Sequence, residues 1–225
     1  MISVIIPTLN AAPVIGPTLG SLSPAILDPV LTEVIISDGG STDDIKDIAD
    51  ATGAKFIEGA AGRGRQLAAG AEAARGEWLL FLHADTQLSE NWVDAARRHI
   101  NGGADKAGWF RLAFDASGGA PRMTAWWANL RSRWLALPYG DQGLLIHRGL
   151  YRTVGGYPDL PLMEDVALAR SLGRRRLTGM DAVATTSADR YLRDGWFRRG
   201  TLNLLTLMRY FLGASPEKLA AAYRR

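Results

Sequence analysis

Residues 33–43 read EVIISDGGSTD and join a β-branched apolar run to a polar turn with two glycines. The first half is typical of a buried strand, and the turn begins where that strand is expected to end. The glycines would let the backbone approach a ligand, while Ser41 or Thr42 could cap the following helix. A capped turn between a strand and a helix also explains the pattern. The stretch alone therefore predicts a strand end and leaves a binding role open.

The same rhythm continues on both sides of this stretch. A β-branched strand at residues 4–6 precedes it, followed by a segment from Ala12 to Leu27 that we expect to be helical. Beyond it, the pattern predicts in turn a helix at 43–52, a strand at 55–57, a helix at 66–74 and a strand at 78–82. This alternation predicts an α/β fold: a Rossmann-like, mainly parallel sheet with helices on both faces.

The second half of the chain is less regular. We expect helices at 91–100 and 121–137, a strand at 109–114 and a helical segment at 196–212. No linker is long enough to separate two domains, so residues 1–225 are predicted to form one domain.

Composition limits the possible chemistry. The 225 residues are 47% apolar and 22% charged, which suits one globular domain with a sizeable core. The chain has no cysteine, so disulfides, Cys-ligated zinc and thiolate nucleophiles are excluded, and any metal must be held by oxygen or by one of three histidines. The start of the chain resembles neither a signal peptide nor a membrane span, and we expect a cytoplasmic protein.

Charge is uneven along the chain. The net charge is +3, but residues 148–225 carry 14 basic and 7 acidic side chains. Such a basic segment can be a solvated face, or it can attract phosphate groups or an anionic membrane. No nucleic-acid-binding motif accompanies it, so we expect no nucleic-acid partner.

Polar residues follow three of the predicted strands. Thr8 and Asn10 follow the first, Asp38 follows the second, and His83 with Asp85 follows the strand at 78–82. Parallel sheets bind ligands beyond the carboxyl ends of their strands, so these side chains are expected to share one site. Asp85 is well placed to hold Mg²⁺ or Mn²⁺, although it could also cap a nearby helix.

A further acidic pair lies at 164–165, before a predicted helix. Glu164 and Asp165 could act as a general base and a supporting acceptor, because a helix N-terminus keeps carboxylates ionised. An ordinary acidic first turn would look the same.

Taken together, these motifs resemble family 2 glycosyltransferases with the GT-A fold. The similarity rests on six pieces in order, which are VIIPTLN at 4–10, DGGSTD at 38–43, ARGEW at 74–78, Asp85, VGGY at 154–157 and the pair at 164–165. Four details resemble a bacterial subgroup labelled arsenosugar-biosynthesis glycosyltransferases, namely GRGRQ at 62–66, FLHADT at 81–86, YGDQG at 139–143 and LPLMED at 160–165.

The resemblance implies an inverting transferase that uses a nucleotide-diphospho-sugar donor, an acceptor hydroxyl and a divalent metal, Mn²⁺ or Mg²⁺. It implies that residues 1–100 bind the donor, that 101–195 bind the acceptor and carry out catalysis, and that 196–225 form a C-terminal helical segment. The implied donor contacts are Pro7, Thr8, Asn10, Asp38 and Gly39. Asp85 would bind the metal, and Asp165 would be the base beside Glu164.

The sequence departs from the family pattern in two places. The metal motif usually has two acids separated by one residue, and here His83 replaces the first, so either His83 joins Asp85 at the metal or Asp85 binds alone. The usual Ala-Arg-Asn before the fourth strand is also missing, and Arg63 and Arg65 are the candidate diphosphate contacts instead.

The acceptor side is less clearly marked. Trp126 and Trp127 could stack on a sugar acceptor, but an aromatic stripe at helical spacing is as well explained by the core. Asp141 and Gln142 could hydrogen-bond the acceptor or stabilise their turn.

The segment 196–212 combines Trp196 and Phe197 with two arginines and several leucines, which suits peripheral membrane contact. Packing against the domain, or against a second subunit in a homodimer, is the alternative.

Two other functions compete. A sugar-phosphate nucleotidyltransferase would need a glycine-rich loop after the first strand, and residues 7–13 contain no glycine. A catalytically silent nucleotide-sugar-binding protein is suggested by His83, although Asp85 and Asp165 argue against it.

Overall fold

The computed structural model describes residues 1–25 and 28–223, and its centre is an eight-stranded sheet. The strands are β1 (Ile2–Thr8), β2 (Leu31–Asp38), β3 (Lys55–Glu58), β4 (Trp78–Phe81), β5 (Thr86–Leu88), β6 (Ala107–Phe114), β7 (Leu144–His147) and β8 (Leu177–Thr186). Their order across the sheet is β3-β2-β1-β4-β7-β6-β8-β5. Strands β7 and β5 run against the other six, so the sheet is mainly parallel, as predicted.

The described part of the chain contains ten α-helices, seven of which lie between strands and three of which follow β8. They are α1 (Ala12–Ser21), α2 (Ile45–Thr52), α3 (Arg63–Ala73), α4 (Trp92–Asn101), α5 (Gly119–Leu135), α6 (Arg148–Thr153), α7 (Glu164–Leu172), α8 (Asp189–Asp194), α9 (Trp196–Phe211) and α10 (Pro216–Tyr223). Within residues 1–25 and 28–223, none of them combines the length and hydropathy that a bilayer-crossing helix needs.

Helices cover both faces of the sheet, as the alternation of β1 shows. Ile2, Val4 and Ile6 pack in one core with residues of α1, α2 and α4, whereas Ile5 packs in another with residues of α3, α6 and α7. Because successive side chains of a strand point to opposite faces, a strand covered on both sides is apolar throughout. This is why residues 2–6 form a continuous buried run.

Some element bounds differ from the sequence-based predictions. The helix expected from Ala12 ends at Ser21 and is followed by a 3₁₀ turn at Ser23–Ala25, while Leu27 lies outside the described residues. Helix α3 begins at Arg63, earlier than the expected Gln66. The longest missed element is β8, whose residues LTGMDAVATT include one apolar β-branched side chain, Val183, and no aromatic one, so they lack the continuous apolar run that indicates a strand.

The topology fixes where a ligand can enter. Strand β1 lies between β2, which follows it in the chain, and β4, which is reached only after β3, so the direction in which strands are added to the sheet reverses between β1 and β4. The loops at the carboxyl ends of these strands therefore diverge and leave a crevice, which is where open α/β sheets bind ligands.

Candidate active site

A cleft of about 1170 Å³ opens at this edge of the sheet. Both halves of the chain contribute to its wall. The predicted site residues that line it are Arg63, Arg65, His83, Asp85, Asp141 and Asp165.

The loops after β1 and β2 hold each other in place beside the cleft. Thr8 Oγ1 donates to Asp38 Oδ1 at 2.8 Å, and Asn10 Oδ1 accepts from the Thr42 N–H at 2.9 Å. Asn10 has a φ of 52°, a left-handed conformation that asparagine tolerates better than most residues. Hydrogen bonds thus join the two loops, which are here together called the floor.

Asp38 is buried, and its carboxylate accepts hydrogen bonds from the turn that follows it. Its carboxylate accepts the N–H groups of Gly40 and Ser41 at 2.8 and 2.7 Å, besides the hydroxyls of Thr8 and Ser41. Burial acts to raise the pKa of Asp38, but these hydrogen bonds outweigh it and lower the pKa below its usual value. Asp38 is 2% exposed, so the expected contact with base or ribose would require this network to open.

Gln66 completes the floor and was not singled out from the sequence. Its Nε2 donates to the carbonyl oxygens of Thr8 at 2.6 Å and Ser37 at 2.9 Å, which ties α3 to the ends of β1 and β2. Gly39 lies against it, since a Cβ there would come within 3.1 Å of the Gln66 amide. A side chain at this position would therefore crowd the Gln66 amide. Pro7 is half-buried in β1, opposite Ser37.

Arg63 joins the N-terminal half of the chain to the start of α7. Its Nε donates to Glu164 Oε1, and its Nη1 lies 3.4 Å from His83 Nε2. Burial acts to lower the pKa of Arg63, but the charges of Glu164 and Asp165 raise it overall, so the guanidinium stays charged. Arg65 is more exposed and pairs with Asp159 at 2.6 Å.

His83 and Asp85 leave β4 on a loop that is anchored at both sides. The Thr18 hydroxyl donates to the carbonyl of Ala84 at 2.8 Å, and the Ser187 N–H donates to that of Asp85 at 3.2 Å. Burial, followed by the positive charges of Arg63 and Arg190, lowers the pKa of His83 well below its usual value. His83 is therefore neutral at pH 7.

The residues that the structure describes contain no group of three or more His, Asp or Glu side chains poised to hold a metal ion. The candidate ligands at the cleft are Asp85 and His83, and the Nε2 of His83 faces a guanidinium. Mg²⁺ and its relatives are commonly held by one or two carboxylates together with substrate phosphates. Asp85 fits that pattern, whereas the guanidinium beside Nε2 disfavours a cation at that nitrogen.

Asp165 and Glu164 are adjacent at the start of α7 but differ sharply in their access to the cleft. Asp165 lines the cleft, and its Oδ2 accepts the Gly140 N–H at 2.8 Å. Glu164 is 1% exposed and faces Arg63 instead. Burial raises the pKa of Glu164, while the charge of Arg63 opposes the shift and that of Asp165 adds to it. Only Asp165 is open to a substrate.

Gly140 permits the close approach of these groups. A Cβ at Gly140 would lie 2.5 Å from His83 Nε2 and 3.6 Å from Asp165 Oδ2. The glycine therefore lets its backbone N–H reach Asp165 while His83 packs against it.

Asp141 and Gln142 share a 3₁₀ turn but face different ways. Asp141 lines the cleft, its Oδ1 is buried without a hydrogen-bond partner, and burial raises its pKa to about 6, opposed by Arg131. Gln142 is fully buried, and its amide bonds Ser132 Oγ and the Phe110 carbonyl. Gln142 therefore fastens the turn to α5 and β6, which is the turn-stabilising role that the sequence also allowed.

The two tryptophans considered for the acceptor lie away from the cleft. Trp126 and Trp127 are on α5, are 62% and 49% exposed and do not line the cleft, so they are not core residues, and an acceptor contact through them stays a prediction. The far wall instead comes from the C-terminal third, and sequence analysis did not single out its members. They include Arg190, Tyr191, Arg193, Arg199, Asn203 and Tyr223. The excess of basic residues after 148 was the signal that pointed there.

Residues 3–150 match a family model described as Glycosyl transferase family 2. The chain belongs to this family. The match ends before the Glu164–Asp165 pair.

Two curated relatives match over shorter segments. A PGL/p-HBAD biosynthesis glycosyltransferase of Mycobacterium tuberculosis is 38% identical over 97 residues, which is 40% of this chain and 37% of the relative. A glucosyl-3-phosphoglycerate synthase of Mycolicibacterium paratuberculosis is 33% identical over 93 residues, or 37% and 28% of the two chains. The matched segment thus spans only about a third of the length of these relatives.

Solved structures show the fold. TarS 1-349 of S. aureus superposes with a TM-score of 0.67 at 18% identity, over 92% of this chain and 64% of that TarS fragment. A Mycobacterium tuberculosis glucosyl-3-phosphoglycerate synthase, in complex with Mn²⁺ and UDP-glucose, superposes with a TM-score of 0.59 at 21% identity, over 83% of this chain and 69% of the synthase. The predicted GT-A fold is therefore confirmed.

Proposed function

We propose that this protein is an inverting glycosyltransferase that moves a sugar from a nucleotide-diphospho-sugar to an acceptor hydroxyl and requires a divalent metal. The observation that carries the proposal is the position of Asp165, a carboxylate at a helix start that faces the same cleft as Asp85 and Arg63. Family membership and the GT-A fold support it.

The donor would lie between the β1–β2 floor and the N-terminus of α3. Arg63 and Arg65 are the cationic side chains at that end, and guanidinium groups suit diphosphate oxygens. Asp38 then orders the loop beside the nucleotide. Solved neighbours in complex with UDP-GlcNAc and UDP-glucose make UDP-sugars the first donors to test.

Asp85 is the proposed metal ligand. A bound Mn²⁺ or Mg²⁺ would offset the negative charge of the departing diphosphate. Asp85 would supply a hard oxygen, and His83, neutral beside Arg63, would keep that guanidinium turned towards the diphosphate. Titration of the protein with nucleoside diphosphate, in the presence and absence of Mn²⁺, measures how far the metal increases nucleotide affinity.

Asp165 would act as the general base. It would take the proton of the acceptor hydroxyl as that oxygen forms its bond to the anomeric carbon and the bond to the diphosphate breaks. Direct displacement inverts the anomeric configuration. The Gly140 N–H fixes one oxygen of Asp165, while Glu164 acts through Arg63 and is a positioning residue.

The acceptor is proposed only as a hydroxyl-bearing compound. The resemblance to the arsenosugar-biosynthesis subgroup suggests no acceptor chemistry beyond this.

The test is a screen of UDP-sugars for nucleoside-diphosphate release and for binding, with parent and Asp165→Asn. The proposal expects binding by both proteins and turnover by the parent alone. Asp181→Asn, an exposed aspartate on β8, makes the same chemical change outside the cleft and should keep turnover. Binding without turnover by the parent would favour the silent binder, and pyrophosphate formation from a sugar phosphate would favour a nucleotidyltransferase.

A further inference from the structure

Exposed apolar side chains concentrate on two helices. Of fifteen large apolar side chains that are exposed in the described part of the chain, five lie on α5 and five on α9. Those of α5 are Met123, Trp126, Trp127, Trp134 and Leu135, and those of α9 are Phe197, Leu204, Leu205, Met208 and Phe211. Concentration of this kind marks an interaction surface rather than scattered exposure.

Helix α5 faces outward because its other side consists of small residues. Pro121, Ala125, Ala128 and Ser132 are buried, and α5 packs on β6 through this side. Asn129 secures the contact, since its side chain both accepts from the Leu112 N–H at 2.8 Å and donates to the Leu112 carbonyl at 3.0 Å. The tryptophans, at helical spacing on the opposite side, therefore have no partner within the described residues.

Helix α9 lies against α5 and has the same two-sided character. Thr206 and Leu207 are buried, and Leu207 belongs to a small core that joins α7, α9 and α10. The leucines at 204 and 205 and Met208 are about half exposed. The two helices touch, and their exposed side chains are here together called the α5–α9 surface.

The charges on this surface select its partner. Neither helix contains an acidic residue, and Arg122, Arg133, Arg198 and Arg209 are all exposed. A second copy of the same surface would place arginines against arginines, with no carboxylate to pair them. An anionic lipid surface offers the opposite charge, and apolar side chains with tryptophan are suited to its interfacial region.

We propose that the α5–α9 surface binds an anionic membrane, with its arginines at the headgroups and its apolar side chains inserted between them. The arrangement differs from a membrane contact through 196–212 alone, because the tryptophans of α5 share it. Arg199 and Asn203 of α9 line the cleft, so the same helix contributes both to this surface and to the cleft.

The test is flotation of the full chain with vesicles of phosphatidylcholine alone or mixed equally with phosphatidylglycerol. Each basic residue near an anionic surface contributes enough that losing two lowers partitioning by roughly 30-fold. Arg133→Glu with Arg209→Glu should therefore lose at least that much. Arg98→Glu with Arg152→Glu changes the net charge equally on exposed positions of α4 and α6, and should bind like the parent.

A second variant tests the apolar part. Trp126→Ser with Leu205→Ser should lower binding to the mixed vesicles, while thermal unfolding confirms that both variants fold. Failure of the parent to float with the mixed vesicles would overturn the proposal, and so would equal losses in the two charge-reversed pairs. A parent dimer that Arg133→Glu with Arg209→Glu converts to a monomer would assign the surface to a second copy and overturn it as well.

Discussion

Gly64→Ala tests how closely α3 packs against the loop at 158–160 and the start of α7. Gly64 lies in the first turn of α3, between the two arginines that face the cleft. A Cβ at this position would lie 2.3 Å from the carbonyl oxygen of Pro158 and 3.4 Å from Glu164 Cβ. That carbonyl accepts from the Leu160 N–H at 2.9 Å, so the loop holds it in place and cannot easily give way.

The size of the effect follows from two opposing terms. Overpacking costs about 1–3 kcal/mol, while replacing a helical glycine by alanine gains up to about 1 kcal/mol. We expect a net loss of about 1–2 kcal/mol in the free energy of unfolding, which is a fall of roughly 2–8 °C in Tm for a chain of this length. Displacement of Arg63 from Glu164 should also lower sugar transfer by up to about 10²-fold.

Gly20→Ala is the matched control. Gly20 is also a helical glycine, in α1, but a Cβ there would meet no atom within 4 Å. This variant gains helix propensity without a clash, so its Tm should not fall. Differential scanning calorimetry and transfer assays on the two variants give the comparison. If Gly64→Ala matched Gly20→Ala in both stability and activity, the close packing of α3 against the 158–160 loop would be refuted.

The remaining predictions concern Asp85 and Glu33. Asp85→Ala should abolish the increase in nucleoside-diphosphate affinity that Mn²⁺ produces, and an unchanged increase by calorimetry would contradict the metal assignment. Glu33→Gln should lower the free energy of unfolding by about 1–2 kcal/mol at pH 7, because the buried carboxylate accepts from Ser3 and Arg75. Burial raises the pKa of Glu33, but these contacts lower it overall, so the stabilisation should disappear as the pH falls from the unfolded value near 4.5 through the lower folded pKa. A difference between parent and variant that persisted in acid would contradict that reasoning.

The first half of the fold could be predicted because its signals are local. Strands β1, β2 and β4 are buried on both faces, so their apolar runs are continuous and end at polar residues. Strand β8 could not be found in the same way, since alanine and threonine fill most of its buried positions. Its place in the sheet comes from pairing with β6, a partner about 70 residues earlier in the chain.

The candidate site was predictable by position more than by role. Sequence placed Glu164 and Asp165 at a helix start, but only the packing of α3 shows that one is buried against Arg63 and the other is open. Asp141 and Gln142 are likewise adjacent in one turn, but Asp141 lines the cleft and Gln142 is fully buried. Periodicity likewise identified the aromatic stripe of Trp126, but it does not report whether a stripe meets the core or the solvent.

The central claim is that Asp165, and not its neighbour, removes the acceptor proton. The direct measurement compares parent, Asp165→Asn and Glu164→Gln for transfer rate and for UDP affinity with Mn²⁺. The account predicts that Asp165→Asn lowers transfer by about 10²–10⁴-fold with UDP affinity nearly unchanged, because a general base contributes that much. Glu164→Gln should lower transfer less, and should weaken UDP binding through Arg63. Near-parental transfer by Asp165→Asn, with transfer lost in Glu164→Gln, would contradict the account.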